Sequence, residues 1–294
     1  MGGSTDRRTL FARLATLALA AGIWFAPHPA EVTTPAWHLF AIFASAIVSV
    51  VISAFPILTA SVLAVATAVL TGTLAPVDAY SGFGNPTIVL IVIAFLVARA
   101  VVKCGLGQRL GYCAISLFGR STLGLSYSIF VVDGLIAPAF PSNTARSGVL
   151  YPLAFSVAQA AGATPDREDR RRLGKFLMFS GIASLTLSSG LWLTAMAANP
   201  LGAEIAKNQG VEIGFGSWLL ASSVPTLAGM VLLPLFLYKL IRPEVTATPE
   251  APAEARKTLA ALGPLARDEK IVAATFVGMV ILWGVSAGVG IDTT

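Results

Sequence analysis

The stretch that most restricts how this chain can fold runs from Pro138 to Gly148 and reads PAFPSNTARSG. It lies between two apolar runs, Leu123 to Phe140 and Ser147 to Gly162, that stand too close together to be separate crossings of a bilayer. Proline, serine, asparagine and threonine are poor inside a helix but well suited to turns and helix N-caps. The spacing predicts a re-entrant helical hairpin over about 121–162, with a polar tip. Backbone that is not helical at membrane depth persists only where protein buries it or where it lines a watery cavity. The tip is therefore expected to face a binding site.

The membrane setting follows from composition. The chain has 294 residues, of which 55% are hydrophobic and only 12% charged, with a mean hydropathy of +0.78. These values lie far from those of soluble domains and predict an all-α polytopic membrane protein embedded in the lipid bilayer. The net charge of +5 does not imply nucleic acid, because the lysines and arginines cluster beside apolar runs as the positive-inside rule expects. Cys104 and Cys113 have no partners that would suggest a disulfide framework or a zinc site. His28 and His38 fall in or beside the first external loop, as solvated or interfacial side chains. No Walker A, HExxH or CxxC motif occurs, and Gly105-Leu106-Gly107 does not follow a strand, so no organic cofactor and no catalytic metal are expected.

Residues 1–35 read as an N-terminal segment and an uncleaved first span, with the N-terminus cytoplasmic. Residues 36–242 read as one repeat containing spans over Trp37–Ser53, Phe55–Leu74, Thr87–Val102, Phe176–Ala198 and Trp218–Tyr238, with the hairpin between the third and fourth of these. Cys104 to Arg120 is amphipathic and expected along the cytoplasmic surface. Ala163 to Lys175 reads as a charged surface helix, with Thr164 as cap and Pro165 at its first position. Residues 243–270 read as a cytoplasmic linker without apolar periodicity, and residues 271–294 as one further span. The repeat crosses the membrane an odd number of times, so a second copy beginning at Ile271 would be inserted upside down. That is the pattern of inverted-topology repeats around a midplane site, with the second repeat truncated and the chain an incomplete half.

Ser142, Asn143 and Thr144 stand where the second hairpin arm begins. Free N–H groups and the positive end of a helix macrodipole there suit an anion. The carbonyls and hydroxyls of the turn are equally hard oxygen ligands for sodium. Ser184 to Gly190 (SLTLSSG) is expected to unwind inside its span, making Ser188, Ser189 and Gly190 a second discontinuous segment. Asp133 is an intramembrane acid and hence a functional candidate. Arg146 is placed to meet a substrate carboxylate or to bond hairpin carbonyls. Asp133 and Arg146 are not expected to pair, because the aspartate lies about nine residues before the tip and their depths should differ by several ångströms.

The segments GFGNPTIVLIVIAFLVARAVVKCGLGQRLGY (Gly82 to Tyr112), STLGLSYS (Ser121 to Ser128) and LIAPAFPSNTARSGVLYPL (Leu135 to Leu153) resemble the divalent anion:sodium symporter family. The similarity is strongest to its 2-oxoglutarate/malate and citrate translocator branch. The resemblance implies secondary active transport of di- or tricarboxylates by alternating access, in a homodimer. It also implies that Ser142, Asn143, Ser188, Ser189 and Gly190 contact sodium, while Asn143 and Thr144 contact the substrate carboxylate. The serine-rich SLTLSSG departs from the glycine-rich pattern of sodium-coupled members, which leaves both sodium symport and dicarboxylate exchange open. A different class of reading is a non-transporting membrane half-unit that acts only on assembly with a partner chain. An intramembrane hydrolase built on Ser142 lacks a histidine base in the membrane region.

Overall fold

The computed structural model describes residues 3–160, 163 and 171–289. Among these, every regular element is helical, and the chain forms two compact units, residues 1–85 and 86–294.

The first unit contains α1 (Gly3–Trp24), α2 (Thr34–Val51), α3 (Ile57–Leu70) and the short α4 (Pro76–Tyr80). Trp37 Nε1 donates to the Ile23 carbonyl at 2.7 Å, and His38 stacks on Trp24 at 3.7 Å, so α1 and α2 are joined by aromatic contacts near their connecting loop. At the other end Arg13 donates to the Ala54 carbonyl and lies over the Phe55 ring. Ser53 takes the left-handed conformation in the turn between α2 and α3, and Pro56 precedes the first residue of α3.

The second unit contains α5 (Pro86–Cys104), α6 (Leu106–Phe118), α7 (Thr122–Ile136), α8 (Asn143–Ala160), α9 (Arg171–Leu191), α10 (Ala198–Lys207), α11 (Phe215–Ile241), α12 (Ala251–Ala261) and α13 (Arg267–Val289). Its main core gathers Leu125, Ile129 and Val132 of α7, Leu150 and Leu153 of α8, and Leu173, Phe176 and Leu177 of α9. Gly111 lets α6 close on this core, because a Cβ there would stand 2.6 Å from Leu153 Cδ2. A second cluster joins Leu90 of α5, Leu193, Phe215 of α11 and Trp283 of α13.

Four described segments are long and apolar enough to cross a membrane: Thr34–Val51, Pro86–Cys104, Thr122–Ala139 and Phe215–Ile241. Burial separates them. Protein covers 72% of Thr122–Ala139 but only 28% of Pro86–Cys104 and 11% of the most apolar window in Phe215–Ile241. The last two present side chains suited to lipid, whereas α7 is enclosed by other helices. A break follows α7: Ala137–Ala139 form a 3-10 turn, Phe140 is extended, and α8 starts at Asn143.

The stretch read as a linker, residues 243–270, contains ordered structure. Thr122 donates to the carbonyls of Val245 and Thr246, and Thr248 donates to those of Gly119 and Arg120, which pins the chain before α12 against the start of α7. Glu244 accepts from the N–H groups of Arg172 and Leu173, placing a carboxylate at the N-terminus of α9. α12 then packs on α6, burying Pro252 and Ala255. Its alanines and long polar residues are good helix formers, and this docking supplies the apolar face that a periodicity search misses. The helix expected over Ala163 to Lys175, with Thr164 and Pro165 at its start, lies largely outside the described residues.

Arg109 of α6 grips Glu269 in the first turn of α13 through two parallel bonds, Nε to Oε1 at 2.8 Å and Nη2 to Oε2 at 3.0 Å. The Arg109 hydrogen bonds, and then the Ala266 N–H, hold the Glu269 carboxyl below the ordinary glutamate range. The carboxylate therefore adds stability above its unfolded value of about 4.3, and that stability is lost as pH falls through the lower folded value. Acidification below about pH 4.3 should lower the melting temperature of the wild-type chain more steeply than that of Glu269→Gln, in which the pair is already broken. Parallel pH profiles in detergent would show that the pair contributes nothing.

Candidate functional site

Two interruptions of helix meet beside α7 and α9. At the first, Ser142 caps α8: its side chain accepts from the Ala145 N–H at 3.3 Å, and its carbonyl accepts from the Arg146 N–H at 3.0 Å. Ser142 and Asn143 are half-buried, and Thr144 is exposed. The second interruption follows α9, where Leu193–Ala195 form a 3-10 turn between extended Trp192 and Met196. The two breaks are bonded to each other. Thr194 Oγ1 donates to the Pro138 carbonyl at 2.9 Å, the Ala197 N–H to the Pro141 carbonyl at 2.8 Å, and Trp192 Nε1 to the Gly134 carbonyl at 2.9 Å.

The second break lies later than expected. SLTLSSG does not unwind; α9 stays helical through Ser184–Gly190 and ends at Leu191. Its buried serines keep the helix because their hydroxyls have partners: Ser184 and Ser188 each donate to Asp133 Oδ2 at 2.6 Å. Side chains meet several of the carbonyls where the helix ends. Asn199 Nδ2 donates to the carbonyls of Ser189 and Trp192, Trp218 Nε1 to Gly190, and Ser222 Oγ to Leu191.

The expectation that Asp133 and Arg146 stand apart is also overturned. Arg146 Nε lies 2.8 Å from Asp133 Oδ1, with both side chains wholly buried. Counting residues misleads here because the 3-10 turn and extended Phe140 fold across the tip instead of adding helical rise. Asp133 belongs to the last turn of α7 and Arg146 to the first of α8, so they face each other at one level.

Arg146 also ties the tip to α9. Its Nη2 donates to Asn143 Oδ1 at 2.9 Å, to the Leu185 carbonyl at 3.0 Å and to Ser189 Oγ at 3.1 Å, and its Nη1 reaches the Ala195 carbonyl at 3.4 Å. Ser189 Oγ donates to Asn143 Oδ1 at 2.7 Å and lies against the Leu185 carbonyl. The sequence candidates Asn143, Arg146, Ser188 and Ser189 thus form one network with Asp133. Ser142 holds the backbone of the tip, Thr144 faces outward, and Gly190 meets the network only through its neighbours. Trp192 and Trp218 support the site and carry no functional signal in the sequence. Tryptophans at helix ends carry no signal of which carbonyl they will meet.

Residues 7–294 match the family described as sodium:sulfate symporter transmembrane region. The protein belongs to the sodium:sulfate symporter family. Within this family the chain is 41% identical over 283 residues to a putative malate transporter, YflS, of Bacillus subtilis, covering 96% of this chain and 59% of that protein. It is 40% identical over 281 residues to the chloroplastic dicarboxylate transporter 1 of Spinacia oleracea, covering 95% of this chain and 49% of the relative. To the citrate/succinate antiporter of Escherichia coli it is 29% identical over 299 residues, covering 95% of this chain and 61% of that one. The chain therefore spans about half to three-fifths of the length of these relatives.

The family name raises the fit of a sodium ion. All five residues expected to hold it already have partners: Ser142 Oγ accepts from the Ala145 N–H, Asn143 Oδ1 accepts from Arg146 and Ser189, Ser188 Oγ donates to Asp133, Ser189 Oγ accepts from Arg146, and the Gly190 carbonyl accepts from Trp218. A second full positive charge among them would stand against the Arg146 guanidinium. In this arrangement the residues do not fit sodium.

Proposed function

We propose that this membrane protein serves a secondary carrier of di- and tricarboxylates, of the malate, 2-oxoglutarate, succinate and citrate class, in a bacterial inner membrane. The carrier exchanges one carboxylate for another by alternating access, without sodium coupling. The malate, dicarboxylate and citrate/succinate transport for which the relatives are named supports the substrate class. The α8 N-terminus supports an anion at the tip, since its N–H groups and macrodipole favour negative charge and Thr144 adds an exposed hydroxyl. In this reading α7 and α8 are the arms of a re-entrant hairpin whose tip lies at membrane depth, consistent with the enclosure of α7 by protein.

One observation carries the preference for exchange over symport: the Arg146 guanidinium is bonded to two of the oxygens that would otherwise ligate sodium, Asn143 Oδ1 and Ser189 Oγ. An arginine stays charged and remains in the protein throughout a transport cycle, whereas a sodium ion enters and leaves. The empty carrier then has no coupling ion to release, and its return is tied to a counter-substrate.

The test is uptake of labelled malate, 2-oxoglutarate and citrate into proteoliposomes holding the 294-residue chain. Uptake is expected to require unlabelled dicarboxylate inside and to be equal in sodium and choline buffers. Accumulation driven by a sodium gradient into vesicles without internal substrate would establish symport instead. Failure of uptake in every buffer would favour a half-unit that acts only with a partner chain.

A further inference from the structure

The Asp133 carboxylate is wholly buried, touches no solvent, and meets two other helices: Ser184 Oγ and Ser188 Oγ each donate to Oδ2 at 2.6 Å, and Arg146 Nε stands 2.8 Å from Oδ1 as an ion pair. A guanidinium has donors and no acceptor, so whichever Asn143 atom meets Arg146 Nη2 must be the amide oxygen. Ser189 donates to that same oxygen. The half-buried Asn143 therefore turns its oxygen inward, and its Nδ2 has no protein partner among the described residues. Asp133 fixes Arg146, and Arg146 fixes the face that Asn143 offers at the tip.

The pair has a second consequence. Arg146 Nη2 lies 2.9 Å from the Asn143 amide oxygen, close enough for an uncompensated guanidinium to attract any anion at the tip. Asp133 cancels that charge. What remains at the tip is a set of neutral donors: Asn143 Nδ2, the Thr144 hydroxyl and the helix N-terminus. Neutral donors recognise an oxyanion while adding little reward for each extra negative charge on it.

We propose that Asp133 is the specificity-determining residue of the carboxylate site, a positioning residue that acts through Arg146. It neutralises the guanidinium that turns Asn143 donor-outward, so that the tip accepts dianions such as malate without favouring trianions such as citrate. This rests on the carboxylate reading of the site above.

The test measures binding of malate and citrate to the detergent-solubilised 294-residue chain, by ligand-induced thermal stabilisation, at a pH where citrate is fully ionised. In Asp133→Asn the guanidinium keeps its contacts to Asn143, Ser189 and Leu185 but loses its counter-charge. The citrate-to-malate affinity ratio should then rise about ten-fold, from one additional charge acting at several ångströms in a partly shielded site. Asp133→Glu should return the ratio toward wild type, and Asp133→Asn/Arg146→Gln, which removes both charges, should restore it. A purely structural role would weaken both ligands together and leave the ratio alone.

A folded Asp133→Asn chain with a ratio within two-fold of wild type overturns the proposal. Where Asp133→Asn fails to fold, the double variant decides: a folded protein with the wild-type ratio supports charge cancellation, and a changed ratio or an unfolded protein overturns it. If the wild-type chain binds neither malate nor citrate, the carboxylate reading itself fails. If it binds both and only the ratio is unmoved, the role of Asp133 alone fails.

Discussion

Arg146→Met should lower the stability of the chain by about 3–5 kcal/mol, the cost typical of removing one partner from a buried ion pair. Methionine keeps much of the arginine volume, so little of the loss would come from a cavity. What it leaves behind is a fully buried Asp133 with only two serine hydroxyls, and the Leu185 carbonyl and Asn143 Oδ1 each short of a donor. The pair holds α7 to α8, and the remaining guanidinium bonds hold both to α9, so the damage should spread over three helices. The double variant Asp133→Asn/Arg146→Met should recover a large part of the loss, because an uncompensated charge is no longer buried, and contacting residues couple strongly in such cycles. Unfolding midpoints in mild detergent for the four proteins of the cycle provide the measurement. A single-variant loss below about 1 kcal/mol would place the pair among interactions no stronger than those at a surface.

Asn143→Asp should abolish recognition of carboxylates while leaving the fold intact. Aspartate has nearly the shape of asparagine, and its inner oxygen can still accept from Arg146 and Ser189. Its outer atom changes from an N–H donor to an oxygen carrying charge. A like charge set against a carboxylate costs several kcal/mol, which corresponds to an affinity loss of about a hundred-fold or more. Malate-dependent thermal stabilisation and exchange in proteoliposomes should both disappear, with the ligand-free melting temperature unchanged or raised by the added contact to Arg146. Malate binding at wild-type strength would remove Asn143 from the site. Asn143→Ala is less informative, since it also deletes the acceptor on which Arg146 and Ser189 converge.

Local chemistry made part of this protein readable from its residues alone. Apolar runs bounded by basic clusters identify an all-helical membrane chain, because burying backbone in lipid leaves few alternatives. Ser142 announces a helix start, and the prolines before it a break, because capping and ring geometry act within a few residues. Contacts between distant segments were decided by tertiary structure. Asp133 meets Arg146 because a 3-10 turn and one extended residue bring two helix ends level, a geometry that counting along a helix cannot supply. α9 continues through SLTLSSG because Asp133, about fifty residues earlier in the chain, accepts from its serines. α12 is anchored by its contact with α6, although its own residues show no apolar period. For Asp133 and for α9 a short-range preference was weak, and a buried partner from another helix chose the outcome, since an unmatched polar group in a low-dielectric interior costs more than a local preference is worth.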